Sequence, residues 1–333
     1  MIAPVDVPEE LDQLKSLIGS LSVDRLAVAV SGGPDSMALI HMMSSILPDL
    51  PHPPEIQALV VDHRIRAESS VEARKVGEWL ENIQGVKPEI LTIEGEWASS
   101  SLQEEARKRR YEILKAHCHK TGIATLLTAH HKDDQAETFL FRLSRGSGLD
   151  GLSAMTEKTR LDDRITLLRP LLSWKKDEIL RYCADHHLPY VQDPSNYAQK
   201  YSRGRLRKSW NVLEKEGLTS DRLSATAHRL ERARKALDFF TAEKMKLLLS
   251  QNTQQKKVFI FSSLQKCPQE IRLRLIMQAM KSLVPEKEYG PRYHKLEDLE
   301  NHMFENNQFE KRSLGKCLLS IDRAKDEFII EKE

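Results

Sequence analysis

Through the first two hundred residues, short apolar runs alternate with longer stretches whose apolar residues recur every three or four positions. RLAVAV (25–30), IQALVV (56–61), EILTI (89–93), ATLLT (124–128) and TLLRP (166–170) have the composition of buried strands. The intervening stretches 35–46, 70–83, 101–120, 133–144 and 175–186 have helical spacing. Near-continuous apolar strands separated by helices predict a parallel five-stranded, doubly wound, Rossmann-like α/β sheet covered on both faces. Beyond residue 212 the strand signal fades. Segments 221–250 and 268–283 read as helices, and only the terminal KRSLGKCLLSIDRAKDEFIIEKE (311–333) reads as strand, turn and strand. The expectation is an α/β domain over 1–212 and a smaller, mainly helical domain over 213–333, divided near WNVLEKEGLTS.

Composition narrows the class without naming a chemistry. A chain of 333 residues can bury two cores, and 40% hydrophobic with 30% charged residues is that of an ordinary soluble protein. The four cysteines, Cys118, Cys183, Cys267 and Cys317, are far apart and form no CxxC pair, which argues against a zinc knuckle, a redox motif or a disulfide framework. The N-terminal MIAPVDVPEELDQLKSLIG has acids and prolines where a signal peptide needs a basic end and an apolar centre. No apolar run approaches the ~18 residues of a membrane span. A cytoplasmic, reduced protein with no membrane partner is expected. The net charge of +2 argues for no nucleic-acid partner, but segment 200–235 holds eleven Lys/Arg against four Asp/Glu, a local excess of +7. Such a run is usually a solvated face, and it is also what binding to a phosphate backbone requires.

The strongest local signal is the hexapeptide Ser31-Gly32-Gly33-Pro34-Asp35-Ser36, which runs from the first strand into a helix. Glycines let backbone N–H groups approach an anion, Pro34 suits a first helical turn, and the helix N-terminus adds partial positive charge. Ser31 and Ser36 can donate hydroxyls, and Asp35 can hold magnesium on the phosphates of ATP. The loop lacks the lysine of GxxxxGK(S/T) and is not the common P-loop. Two glycines alone are more often a tight turn; the full hexapeptide at the first strand of an α/β sheet favours a ligand site.

Other candidates follow the later strands. Asp62 and His63 close the second strand and either border a nucleotide or merely end the strand. His130 and His131 close the fourth, and one of the two, taken as His131, faces the nucleotide. Asp134 and Glu137, three apart at a helix start, project from one face and are either a solvated acidic turn or a catalytic pair. Asp133 keeps the solvated reading. Arg110 belongs to the basic run 107–110.

SGGPDS resembles the loop of the PP-loop pyrophosphatase superfamily, which cleaves ATP between its α and β phosphates to form adenylates. VDHRIR (61–66), TAHHKDDQAETFLFRLSRGSGLDGLSAM (128–155), DPSNYAQKYSRGRLR (193–207) and RSLGKCLL (312–319) are similar to segments of the tRNA(Ile)-lysidine synthetase family. The resemblance implies an ATP- and magnesium-dependent ligase acting on an isoleucine tRNA with a CAU anticodon. There the C2 oxygen of the wobble cytidine attacks the α-phosphate, and the ε-amine of free L-lysine then displaces AMP, which changes codon reading from AUG to AUA. On the same footing Asp134 and Glu137 match the family's acidic pair, tied to catalysis and lysine recognition. Arg110 matches an arginine before tyrosine, and Arg203, Arg205 and Arg207 match a segment aimed at the active site and tRNA, with Gly204 standing where the family usually has asparagine. The C-terminal domain would bind tRNA. Two alternatives are carried: another PP-loop enzyme such as a tRNA thiolase, against which the isolated cysteines argue, and a noncatalytic RNA-binding module, against which the intact loop and acids argue. The sequence leaves oligomeric state open, a homodimer included.

Overall fold

A computed structural model describes residues 8–66, 68–97, 102–191, 209–285, 293–305, 309 and 311–333. The chain divides into two compact units, Met1–Glu231 and Arg232–Glu333.

The first unit is built on a six-stranded sheet of order β3-β2-β1-β4-β6-β5. Its strands are β1 (Arg25–Val30), β2 (Glu55–Asp62), β3 (Val86–Thr92), β4 (Thr125–Leu127), β5 (Lys158–Arg160) and β6 (Thr166–Leu168). The five expected strands pair in parallel. β5 is an addition, a three-residue antiparallel edge whose Lys-Thr-Arg sequence is too short and polar to show a period. β3 starts at Val86, earlier than expected, and contains Pro88, which an edge strand tolerates. Side chains of β1 alternate between two cores, as a strand's period of two requires. Leu26, Val28 and Val30 join one cluster with residues of α1 (Pro8–Gly19), α2 (Pro34–Ile46), α3 (Ser69–Glu81) and α7 (Lys176–Asp185). Ala27 joins the other, with Leu114 and Cys118 of α4 (Leu102–Thr121). The chain winds outward from β1 through β2 to β3, then returns to place β4 on β1's other side. The C-terminal ends of β1 and β4 therefore flank the topological switch point where such sheets bind ligands.

α5 (Lys132–Leu143) starts at that edge, followed by the short α6 (Leu149–Leu152). Ala136, Phe139 and Leu140 of α5 pack against Trp210 and Leu213 of α8 (Trp210–Lys215) and Leu223 and Ala227 of α9 (Ser220–Leu248). The expected boundary at 212/213 thus falls inside α8, and the division between units falls within α9.

The second unit corrects the expected loss of strands after residue 212. It contains a five-stranded antiparallel sheet of order β7-β8-β11-β10-β9. Its strands are β7 (Leu249–Asn252), β8 (Lys256–Ile260), β9 (Lys311–Leu314), β10 (Cys317–Asp322) and β11 (Glu327–Lys332), so the C-terminal segment holds three strands rather than two. β7 is an edge with three exposed residues and β8 opens with two lysines, so neither shows the apolar run of a buried strand. Phe259 and Phe328, fully buried with ring centroids 6.1 Å apart, centre this core. The remainder of α9, with α10 (Phe261–Gln265), α11 (Gln269–Leu283) and α12 (Tyr293–Glu305), completes the unit. Among the described residues no helix is long and apolar enough to cross a membrane.

Candidate active site

The loop after β1 is built to leave backbone pointing outward. Gly32 has φ +79°, and a Cβ there would come within 2.4 Å of Val76, so only glycine fits. Gly33 has an ordinary φ of −73°, and its nearest neighbour to an added Cβ is Ser31 Oγ at 3.6 Å. Protein packing does not demand glycine at Gly33. Ser36 stitches the loop together: its hydroxyl donates to Gly33 O at 3.0 Å and accepts from Ser31 N at 3.1 Å. Ser31 Oγ lies 3.2 Å from Ser36 Oγ. Pro34 opens α2, where its missing N–H costs nothing, and Asp35 follows in the first turn.

Asp35 is the junction of an ionic network that the sequence alone did not reveal. Lys176 Nζ, from the start of α7, donates to Asp35 Oδ1 at 2.5 Å. His131 Nε2 lies 3.7 Å from the same oxygen and 3.5 Å from Asp134 Oδ2, so carboxylates from two helices bracket one imidazole nitrogen. His131 is buried, which opposes its protonation, yet Asp133, Asp134 and Asp35 together hold its pKa above the ordinary value, against Lys176. Asp134 also accepts from His131 N at 3.1 Å and so caps α5. The structural and functional readings of that aspartate therefore both have a physical basis. Glu137, one turn on, is 8% exposed. Asp133 is not the solvated acid expected of it: its oxygens accept from Lys176 N at 2.8 Å and Ser220 Oγ at 2.6 Å, which ties the starts of three helices together. Asp221 joins Lys132 at 3.0 Å and Lys175 at 2.8 Å.

Asp62 is buried and occupied within the fold, accepting from Arg64 N at 3.0 Å and from Ser70 Oγ at 2.6 Å, which pins the turn into α3. His63 beside it has a buried Nδ1 with no partner, as does Trp97 Nε1; the two rings are 6.3 Å apart. Burial, with the Arg110 guanidinium nearby, takes the His63 pKa down to about 4, so this imidazole is neutral near pH 7. His130 Nδ1 lies 2.9 Å from Thr128 Oγ1. Burial and then Arg169, Arg107 and Arg110 push the His130 pKa well down. His130 and His131 thus differ sharply: one is held neutral among cations, the other faces carboxylates. Arg110 is half-buried, and both His63, after β2, and His130, after β4, sense its charge.

The structure gathers the loop residues, Asp35, His131, Asp134 and Glu137 at the switch-point edge, with Asp62, His63 and Arg110 along the same edge. Arg203, Arg205 and Arg207 lie outside the described residues. Lys176, Arg169 and Trp97 were missed; their one sequence signal is position, since Lys176 opens the helix after the fifth strand and Arg169 directly follows that strand. Among the described residues no group of three or more His, Cys, Asp or Glu could by itself hold a metal ion. Magnesium needs no such cage when phosphates supply oxygens, so Asp35 beside the loop suits it. All four cysteines are buried and outside any disulfide among the described residues, and burial raises the Cys118 and Cys183 thiols to about 11. Cys118 and Cys183 also sit in the cores on opposite faces of the sheet.

Comparison with known proteins agrees with this geometry. The family model of the PP-loop domain matches residues 8–214. A tRNA(Ile)-lysidine synthase of Wolbachia sp. subsp. Brugia malayi is 36% identical over 88% of this chain and 68% of that protein. One from Methylobacterium nodulans is 34% identical over 89% of this chain and 86% of that protein. Among solved structures, the U34-tRNA thiolase NcsA from Methanococcus maripaludis with its 4Fe-4S cluster superposes with a TM-score of 0.57 at 18% identity, covering 68% of this chain and 80% of that one, a likeness of fold. The chain belongs to the tRNA(Ile)-lysidine synthase family of PP-loop proteins.

Proposed function

We propose that the chain is a two-step ligase that adenylates the C2 oxygen of the wobble cytidine in an isoleucine tRNA with a CAU anticodon, then joins free L-lysine at that carbon. The observation that carries this reading is the convergence of Asp35, His131 and Asp134 beside the glycine loop, with imidazole Nε2 lying 3.7 and 3.5 Å from the two flanking carboxylates.

In the first step the C2 oxygen bonds to the α-phosphate and pyrophosphate leaves. The backbone N–H groups of the loop and the α2 N-terminus receive the negative charge that grows on the leaving group. Lys176, already in the site, adds a cation there, and Asp35 is the ligand suited to magnesium, which when bound supplies further positive charge on the phosphates. His131, whose protonated form is favoured by the neighbouring carboxylates, lies at the same edge. In the second step the lysine ε-amine bonds to C2 and AMP departs with the original C2 oxygen. Asp134 and Glu137 orient the ammonium and take its proton, which frees the nucleophilic lone pair. The first unit serves as the catalytic domain, and the second, from the long helix onward, as the tRNA-binding domain. The basic run 200–235 supports contact with phosphate backbone. The thiolase alternative finds no support in cysteines that are buried, raised in pKa and on opposite faces of the sheet.

Incubation with ATP, magnesium, labelled lysine and the CAU isoleucine tRNA tests the reading. Label is expected in the tRNA with one AMP released per lysine joined. AMP release without label transfer would leave an adenylating enzyme with a different nucleophile.

A further inference from the structure

Three helices begin at one carboxylate. α5, α7 and α9 come from distant parts of the chain, yet their starts meet at Asp133, the second residue of α5. Asp133 Oδ2 accepts from the backbone N–H of Lys176, the first residue of α7, at 2.8 Å. Its Oδ1 accepts from the hydroxyl of Ser220, the first residue of α9, at 2.6 Å. Lys132 N, one position earlier, donates to Trp174 O at 2.8 Å, so two bonds fasten the start of α5 to the entry of α7. An outer tie lies beside them, where Asp221 bridges Lys132 at 3.0 Å and Lys175 at 2.8 Å. Three pairs of consecutive residues, 132–133, 175–176 and 220–221, thus engage one another across the helix starts.

Asp133 and Ser220 are not spent on their own helices. Asp134, which accepts from His131 N at 3.1 Å, caps α5, and Thr219, whose hydroxyl accepts from Arg222 N at 3.3 Å, serves α9. What the Asp133–Ser220 pair adds is a fixed place for the first residue of α7, whose otherwise unsatisfied N–H it takes up. That residue is Lys176, and its Nζ reaches Asp35 beside the glycine loop at 2.5 Å. A lysine ammonium rides on a flexible stem, so where its charge stands depends on where its backbone is held. Ser220 is buried, whereas Asp221 is half exposed, and an exposed ion pair contributes less. Asp133 Oδ2 also lies 3.6 Å from His131 Nδ1, so a change at Asp133 disturbs two neighbours, while Ser220 acts on Asp133 from α9.

We propose that Ser220 and Asp133 are positioning residues for the ATP-splitting step: together they hold the first turn of α7 so that the Lys176 ammonium stands at Asp35, where it meets the departing pyrophosphate. This rests on the reading above, in which Lys176 adds positive charge at the leaving group. The start of α9, the helix that carries part of the basic run 200–235, thereby becomes part of the nucleotide site.

Steady-state AMP formation by the full chain, with ATP, magnesium, lysine and the CAU isoleucine tRNA, tests this through a double-mutant cycle. Lys176→Met is expected to lower kcat about a hundredfold with little change in ATP KM, the mark of charge stabilised only as the bond breaks. Ser220→Ala is expected to lower kcat about tenfold in the same manner, and Ser220→Thr, which restores the hydroxyl, to recover it. The double variant should be no slower than Lys176→Met alone, because Ser220 acts through that lysine. Asp133→Asn, whose carbonyl still accepts from Lys176 N while its amide donates to Ser220 Oγ, should fall between wild type and Asp133→Ala, and it serves if Ser220→Ala folds poorly. Losses that multiply in the double variant overturn the proposal. So does a Ser220→Ala protein that is less stable to urea yet keeps its kcat per folded molecule, which would leave the contact a structural one. A wild-type protein that releases no AMP refutes the functional reading instead, and that result is visible before any variant is made.

Discussion

The two units bury charge in opposite ways. In the second, Arg272 and Glu300 close on each other at 2.5 Å with side-chain exposures of 17% and 0%, and Arg274 is shared between Glu270 and Asp238. Among the described residues of the first, His63 Nδ1, Trp97 Nε1, Tyr111 Oη, His131 Nδ1 and Arg169 Nε are buried without hydrogen-bond partners, although His131 Nδ1 lies 3.6 Å from Asp133. Arg234 Nε is the one such atom described in the second unit, and its guanidinium still lies 3.8 Å from Asp238. Buried polar atoms in folded proteins are mostly hydrogen-bonded, so each unsatisfied one calls for an explanation, of which a bound ligand is one. The difference supports the proposed placing of the chemistry in the first unit.

Variants can break this comparison. Asp35→Ala should have the largest effect, lowering AMP formation by about 10²–10³-fold, the scale of removing one preorganised electrostatic group. tRNA binding, measured by filter retention, should survive; equal loss of both would make the loop structural. Glu300→Ala should invert the pattern. It leaves half-buried Arg272 without its carboxylate, costing about 1–3 kcal/mol of stability in thermal or urea unfolding, with kcat per folded molecule intact. A kinetic defect at full folding would show that the two units' roles are not separable in this way.

pH provides a gentler test. A histidine with a depressed folded pKa contributes stability that is complete above the unfolded value of 6.5 and is lost as pH falls towards the folded value. With His63 at about 4 and His130 also lowered, Tm should drop between pH 6.5 and 4, and His63→Asn should flatten part of that drop. His131 has the opposite sign: its raised pKa gives a contribution present below 6.5 and lost as pH rises through its folded value. A Tm profile flat across both windows would contradict the assigned protonation states. The smallest effect on activity belongs to Cys118→Ala and Cys183→Ala, each expected to cost about 1 kcal/mol of core packing and to leave lysine transfer unchanged. Abolished transfer in a folded cysteine variant would favour thiol chemistry.

The legible parts of the molecule are those whose reasons are local. Strands such as Leu26–Val30 are buried on both faces and read as apolar runs, and Gly32 is dictated by its own φ and by Val76. β7 and β8 were missed because an exposed edge and a strand opening with two lysines obey the sheet rather than their own composition. The same distinction holds in the site. Asp134 and Glu137 could be placed on one face by helical spacing, but Lys176 meets Asp35 across 141 positions of chain, a relation that no window of sequence contains.

Under the proposed function, the atom that ATP activates is the C2 oxygen of the wobble cytidine. The most direct measurement places isotopically heavy oxygen at that position of the tRNA and follows it by mass spectrometry of the products. The heavy oxygen should appear in AMP, one atom per lysine joined. AMP free of the label, with lysine nonetheless attached, would contradict the claim.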